Sequence, residues 1–425
     1  MILEISSRGG TKTRRTQGKR VFIFPLRSLR LGVFARGILI VCFLFSLLLP
    51  LCAFDFGLIF DQNADYGGLE SDGSFTYSAS LIPRLYFLFG EENDLYISAG
   101  IEAAYGDEWT FVPELLRTEL SLNFNNLELR AGRMYHSDPL GFIANGLFDG
   151  AKVSFDSEAG SFSAGAWYTG LLYKRRANIT MSEKDRESYA IALDFEDFTN
   201  TYFAPRRFVA ALGWEHFGWP FKPKFSLLGQ ADLSGDNPLH SQYVVGKITL
   251  PVKVVVFDLG ACLELLQDDG KFGTAYAAEA RIAWMPPVSI SQRLSLLARY
   301  ASGGEFAFLP LTTQSQGNIL DAKLPGVSMI SLDYIARLNS AISAGLKSSC
   351  FVRSDLETYN AYPLAAVDSG NYFLGNEFFA RLLWAPVSDL QFNLGAGVFL
   401  PSLGDVAPNA SISWQVKLNI VFSLY

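Results

Sequence analysis

From Ser411 to Leu424 the chain alternates apolar and polar residues almost without a break. Ile412, Trp414, Val416, Leu418, Ile420, Phe422 and Leu424 share one parity, and Ser411, Ser413, Gln415, Lys417, Asn419 and Ser423 the other. Successive side chains of a strand point to opposite faces, so this segment predicts a strand with one face suited to lipid and one to water. The same dyad pattern predicts strands over 75–89, 95–105, 115–124, 127–135, 151–155, 162–172, 188–195, 207–216, 243–250, 252–265, 276–284, 293–300, 328–338, 342–352, 372–384 and 390–400. Long helical periodicity is absent, so the expectation is an all-β fold.

The connections alternate in length. Residues 90–94, 125–126, 156–161, 286–291 and 386–389 are short, whereas 106–114, 136–146, 174–187, 303–327 and 354–371 are long. A transmembrane up-and-down β-barrel does this with its periplasmic turns and extracellular loops, and an even strand count follows when both ends are periplasmic. The undivided 196–240 region leaves 16 to 18 strands, with 18 favoured. Asn93–Gly100, Asn125–Gly132 and Ser388–Gly395 each open on a polar tight turn and continue Leu-x-apolar-x-apolar-Gly, a hairpin signature. Arg281-Ile-Ala-Trp-Met-Pro286 and Arg381-Leu-Leu-Trp-Ala-Pro386 echo one another. In both, Pro withholds a ladder donor and ends the strand, leaving Trp284 and Trp384 at the membrane–water boundary.

Composition points the same way. Of 425 residues 49% are hydrophobic and only 18% charged, with 35 Phe, 18 Tyr and three His. A soluble domain carries about 25% charged residues. Chain without a spanning helix can satisfy its backbone in lipid only as a closed barrel. Nine basic residues precede the apolar run Gly37–Leu51, which is too short to span and reads as the core of a secretory signal over residues 1–53, leaving 54–425 as the barrel. Cys52 after that run leaves a lipoprotein reading open, and Cys262 and Cys350 fit small apolar strand positions. Residues 1–53 hold nine of the 35 basic and one of the 42 acidic residues, so the remainder has a net charge of −15. That excludes a basic nucleic-acid footprint and is compatible with acidic loops or a pore favouring cations.

Charged residues inside strands must avoid hydrocarbon, where each costs about 2–4 kcal/mol at mid-bilayer. Their phase assigns Arg117, Glu119, Arg130, Arg281, Arg299, Arg337, Glu377 and Arg381 to the lumen. Two roles remain open for them: salt bridges that stiffen the wall, or charges around a constriction that set the field across the pore.

The stretch Glu128–Gly150 contains a strand ending Gly132-Arg133, a loop, and Asn145-Gly-Leu-Phe-Asp-Gly150 opening the next strand. It resembles the corresponding part of general and substrate-specific porins, including alginate-export-type barrels, and the segment Phe378–Tyr425 is similar in texture. The resemblance implies a monomeric or homotrimeric channel of the cell outer membrane. It would be surrounded by lipid, inserted by the barrel-assembly machinery and open to small solutes or ions. It also implies that Arg133 and Asp149 lie near the start of the first inward loop, where a turn-stabilising ion pair is the plainer role. Tyr425 departs from the family pattern, because the lipid phase of the last strand ends on Leu424.

Enzyme chemistry finds little foothold. His136, His216 and His240 have no metal-ligand spacing, and the neighbours His136-Ser137-Asp138 point to alternate faces and cannot form a triad among themselves. The sequence therefore reads as a porin-like passive channel without cofactors. The alternative is a surface adhesin or ligand-binding barrel acting through loops 303–327 and 354–371.

Overall fold

The computed structural model describes residues 53–424, apart from 71, 91, 107, 236, 289, 357–360 and 363–369. The expected signal segment up to Cys52 and the terminal Tyr425 lie outside the described residues. The strands are β1 (Ala53–Leu69), β2 (Asp72–Phe89), β3 (Asn93–Tyr105), β4 (Trp109–Phe124), β5 (Leu127–Ser137), β6 (Asn145–Ser157), β7 (Gly160–Tyr168), β8 (Arg207–Glu215), β9 (Lys222–Asp232) and β10 (Leu239–Val252). They continue with β11 (Val255–Asp268), β12 (Lys271–Trp284), β13 (Ser291–Ala301), β14 (Asp321–Ala322), β15 (Val327–Arg337), β16 (Ile342–Arg353), β17 (Ala361–Tyr362), β18 (Phe373–Val387), β19 (Leu390–Leu400) and β20 (Ser413–Leu424).

All but β14 and β17 form one antiparallel sheet of 18 strands. It closes where β1 pairs with β20, from Leu58 opposite Leu424 to Leu69 opposite Ser413. Closure leaves no edge, which is what hydrocarbon demands of a backbone. The favoured count of 18 is reached by a different route from the sequence pattern. Residues 188–195 are not a strand: Glu183–Ala190 is a helix. Two strands escape the pattern instead, β1 and β9. In β1 the apolar face gives way to Asp61-Gln-Asn-Ala-Asp65, so the alternation fades halfway along the strand.

The outer face is apolar, as the pattern requires. Ile412, Val416, Leu418, Phe422 and Leu424 are between 37% and 46% exposed on the isolated chain, whereas Ser413 of the other parity is buried. Trp284 and Trp384 also face outward, the latter stacked on Phe392 with centroids 5.0 Å apart. β18 runs through Pro386 to Val387, with a register irregularity after Trp384, so this proline bends the strand end rather than stopping it. A bulge in β4 sets Leu116 and Arg117 against Ser98 alone. Such an insertion shifts the alternation by one residue. Trp109, Phe111 and Leu115 accordingly face out before it and Phe124 after it.

Consecutive wall strands alternate direction, so the connections sort into two ends. The short turns 125–126, 158–159, 253–254 and 388–389 share one end with the start of β1 and the finish of β20, whereas the short β1–β2 and β11–β12 connections lie at the other. The longer connections 138–144, 169–206, 302–326 and 401–412 share the other. Only part of this second set stays outside the barrel. Loop residues Leu140, Phe142, Ile143, Leu172, Ile179, Met181, Phe308 and Leu311 form one apolar cluster with the wall residues Met134, Trp167, Val209, Tyr243, Val245 and Cys262. Buried apolar surface is thus concentrated inside the barrel, where loops 138–144, 169–206 and 302–326 share this cluster and Val406 and Ala407 of 401–412 join a second one.

Inward loops and the charged lumen as the candidate functional site

The shortest inward loop is organised by one carboxylate. Asp138, at the end of β5, accepts backbone N–H bonds from Leu140 (2.8 Å), Gly141 (3.0 Å), Ile143 (2.8 Å) and Ala144 (3.0 Å). Burial raises this carboxyl above its ordinary value, and the four amides pull it back. His136 instead packs its ring on Trp167 with centroids 4.4 Å apart, and Ser137 Oγ donates to the Asp138 carbonyl. The three neighbours therefore do structural work in different directions.

Residues 169–206 form the second inward segment, with helices α1 (Lys174–Ala177), α2 (Glu183–Ala190) and α3 (Phe198–Tyr202). A capping box starts α2: Ser182 Oγ accepts from Asp185 N, and an Asp185 carboxylate oxygen accepts from Ser182 N. This local capping is why 188–195 does not extend as a strand. Asp185 also accepts from Arg207 at 2.6 Å. The fully buried Arg207 guanidinium further bonds Gln230 (2.8 Å) and the Leu239 carbonyl (3.2 Å) and lies 3.5 Å from Asp232. α3 is held by Tyr202, which stacks on Phe198 and donates to the Pro113 carbonyl at 2.8 Å. Burial pushes this phenol up to about 12.

The third segment, 302–326, touches both others. Thr312 N donates to the Ile143 carbonyl, Thr312 Oγ1 accepts from Asn145 N, and Thr313 N donates to the Asn178 carbonyl. Leu309 N donates to the carboxylate of Glu264 on β11 at 2.8 Å, while Tyr243 donates to the Leu309 carbonyl at 2.6 Å. Further along, Asn318, Ile319 and Leu320 turn their backbone N–H groups onto Glu377 of β18 at 2.7–3.0 Å.

These contacts distribute the sequence-assigned residues unevenly. Glu119 lies between Arg117 (2.7 Å) and Arg130 (3.6 Å), and Arg130 also pairs with Glu128. Arg281 pairs with Asp258 (2.7 Å), which also accepts from Thr249. Arg299 pairs with Glu279, donates to Gln316 Oε1 and lies over the Phe142 ring at 4.4 Å. Arg381 donates to both oxygens of Asp333 at 2.8 Å. Arg337 sits at the rim and donates to the Asn339 and Ser340 carbonyls of a short turn. Glu377 is 1% exposed and spends its carboxylate on a loop rather than on solvent. Arg133 and Asp149 face each other in register and make a two-point ion pair at 2.8 and 2.9 Å. Arg133 also donates to the Leu171 carbonyl, which ties the pair to the second inward segment.

Sequence reasoning passed over Asp138 as a loop organiser and missed Asp185, Arg207 and Glu264 altogether. The Ser182-x-x-Asp185 spacing was the available signal for α2. Nothing comparable marks Glu264, whose partner lies 45 residues further on.

On the short-turn side of the loops a cavity of about 680 Å³ is lined by Arg130, Lys152, Trp167, Lys224, Lys247, Asp258 and Arg281, among others. Lys152 has no ion pair among the described residues; nor does Lys347 on β16. A second groove, about 690 Å³, lies on the β6–β10 wall among Val153, Leu212, Leu227 and Val244. Its exposed leucines and valine belong to the outward apolar face, so it is a lipid-side feature and not part of the lumen.

Comparison with solved structures matches this architecture to Pseudomonas aeruginosa OccK5 (OpdH), with a TM-score of 0.60 and 10% identity over 87% of this chain and 98% of that one. The chain shares its fold. OccK2 (OpdF) of the same organism, in complex with glucuronate, matches with a TM-score of 0.60, 11% identity and the same coverage of both chains. Acinetobacter baumannii OccAB2 matches with a TM-score of 0.56 and 10% identity over 87% and 98%. No family model and no curated protein matches the sequence.

Proposed function

We propose that this chain is an outer-membrane channel through which small hydrophilic solutes diffuse passively. The observation that carries this reading is a closed 18-strand wall, apolar outside, whose charged interior is narrowed by three inward loops. The inward course of 302–326 also takes one of the two segments on which an adhesin would rely. The fold shared with OccK5 and with OccK2, the latter solved in complex with glucuronate, supports the same reading. One chain closes the barrel, so a single copy suffices for a pore. Sizing in detergent distinguishes that monomer from a homotrimer.

Carboxylate-bearing solutes are the class we favour. Lys152 and Lys247 line the 680 Å³ cavity; Lys152 has no ion pair there, and Lys247 reaches Glu279 only at 3.9 Å. Most acids around them are already engaged, Glu128 by Arg130, Glu215 by Lys224, Asp258 by Arg281 and Asp138 by its own loop, which leaves Asp156 as the lining carboxylate with no ion pair among the described residues. The pairing leaves two lysines against the one carboxylate of Asp156, a local positive excess that opposes the cation preference the net charge of −15 allows. A neighbour in complex with glucuronate fits this class. Planar-bilayer recording of the refolded chain tests both parts. Stepwise conductance is expected, with a reversal potential in a potassium chloride gradient that favours chloride and moves toward zero in Lys152→Ala. A bilayer that stays at its empty baseline overturns the channel; a cation-selective reversal potential overturns the solute class.

A further inference from the structure

The segment 302–326 is fixed at two separate places on the wall. Its first foot is Phe308 and Leu311, packed in the large apolar cluster and pinned by Glu264 and Tyr243. Its second foot is Leu320 and Ala322, which pack with Met329, Phe351, Leu374 and Phe399. Between them, residues 312–316 meet the other two inward loops and Arg299. The first foot has a broad apolar base. The second adds one carboxylate to a smaller apolar base: Glu377 takes the N–H groups of three consecutive residues and the Asn318 side-chain amide (2.8 Å).

The fit at this second foot is close. A Cβ on Gly317 would lie 2.7 Å from Glu377 Oε2 and 2.4 Å from the Leu320 carbonyl, so the turn can approach the carboxylate only because residue 317 is glycine. Lys417 of β20 reaches the Asn318 carbonyl at 3.4 Å and closes the other side of the turn.

We propose that Glu377 is a positioning residue for permeation: it clamps the far foot of a strap across the lumen, and loss of its charge releases the strap and widens the pore. The proposal rests on the channel reading but can be tested apart from it. Glu377→Gln places an NH₂ group against backbone N–H donors, and Gly317→Ala presses a methyl group onto the same carboxylate. Both are expected to give a higher unitary conductance or an added, larger open level than the parent. Leu320 is 0% exposed, so in a Leu320→Cys background an aqueous maleimide reports release without any current. Labelling should be at least about tenfold faster with Glu377→Gln, given the strength of hydrogen bonds to a charged acceptor. Chains lacking Leu320→Cys set the baseline from Cys262 and Cys350. Heat-modifiable migration on gels confirms that each variant retains its barrel; should Glu377→Gln not fold, Gly317→Ala carries the same two readouts. Unchanged conductance with unchanged labelling in folded variants overturns the clamp. A parent that never conducts, with labelling that still accelerates, overturns the channel reading and leaves the clamp standing.

Discussion

Replacing Arg207 with alanine should detach the helical segment 169–206 from the wall without unfolding the barrel. The guanidinium is fully buried and serves Asp185 at 2.6 Å, Gln230 at 2.8 Å, the Leu239 carbonyl at 3.2 Å and Asp232 at 3.5 Å. Removing it leaves two buried carboxylates facing each other without a cation. Breaking a buried pair by deleting one partner costs about 3–5 kcal/mol, chiefly because the surviving charge is uncompensated. Asp185 can escape that penalty by leaving the wall with α2, whereas Asp232 is fixed in β9. The strain therefore falls on the loop, whose local opening requires less free energy than loss of the wall ladder. If only 3 kcal/mol of it is expressed as opening, amide exchange over 174–190 rises by about a hundredfold, at about tenfold per 1.4 kcal/mol. Hydrogen exchange read by mass spectrometry in detergent micelles measures this directly. Exchange within a factor of about three of the parent would refute the assignment of Arg207 as the tether. Equal acceleration in β11 and β12 would show that the residue supports the wall instead.

Three other perturbations probe separate parts of the argument. Leu418→Arg places a charge on the lipid face of the closing strand and should reduce folding stability in lipid vesicles by about 2–4 kcal/mol, whereas Lys417→Gln on the lumen face should leave it nearly unchanged; equal urea midpoints for the two would overturn the phase of β20. Gly132 has φ of +115° and would bring a Cβ within 2.1 Å of the Thr118 carbonyl, so Gly132→Ala should cost about 1–3 kcal/mol in the same titration. Tyr202 holds its proton up to about 12, against about 10 for a free phenol. The folded state thus binds a proton that the unfolded chain has lost, and this stabilisation is complete below pH ~10 and falls away as the pH rises towards 12. Ultraviolet difference spectra between the parent and Tyr202→Phe should show no tyrosinate from this residue at pH 11; its appearance near pH 10 would mean that the phenol is not enclosed.

Much of the wall was legible from local pattern alone. Strand alternation, turn residues and charge phase are nearest-neighbour properties, so the lipid face of β20 and the lumen side of Arg117, Glu119 and Arg381 could be read residue by residue. Three of the connections expected to be long, around 138–144, 169–206 and 302–326, are long, and the total of 18 strands was favoured; 106–114 is not, because β4 already starts at Trp109, and the long 401–412 went unmarked. Where two local signals competed, the pattern failed. Ser188–Phe195 alternates like a strand, yet the cap at Ser182 starts a helix just before it. β1 loses its contrast in a polar middle because its lumen residues Asp61 and Asn63 meet Asn419 across the closing seam.

The interior depended on contacts remote in sequence. Glu377 and Arg337 look alike as lumen-phase charges, but one grips a turn some 59 residues earlier and the other caps its own neighbouring turn. No periodicity encodes which loop falls inward, because that choice comes from burying Phe308, Leu311 and Ile179 against a wall that exists only once the barrel has closed. The sequence by itself determined a membrane-facing strand pattern and the presence of charges inside it. Tertiary structure decided which of those charges pair along the wall and which hold the loops, because those contacts join segments remote in sequence.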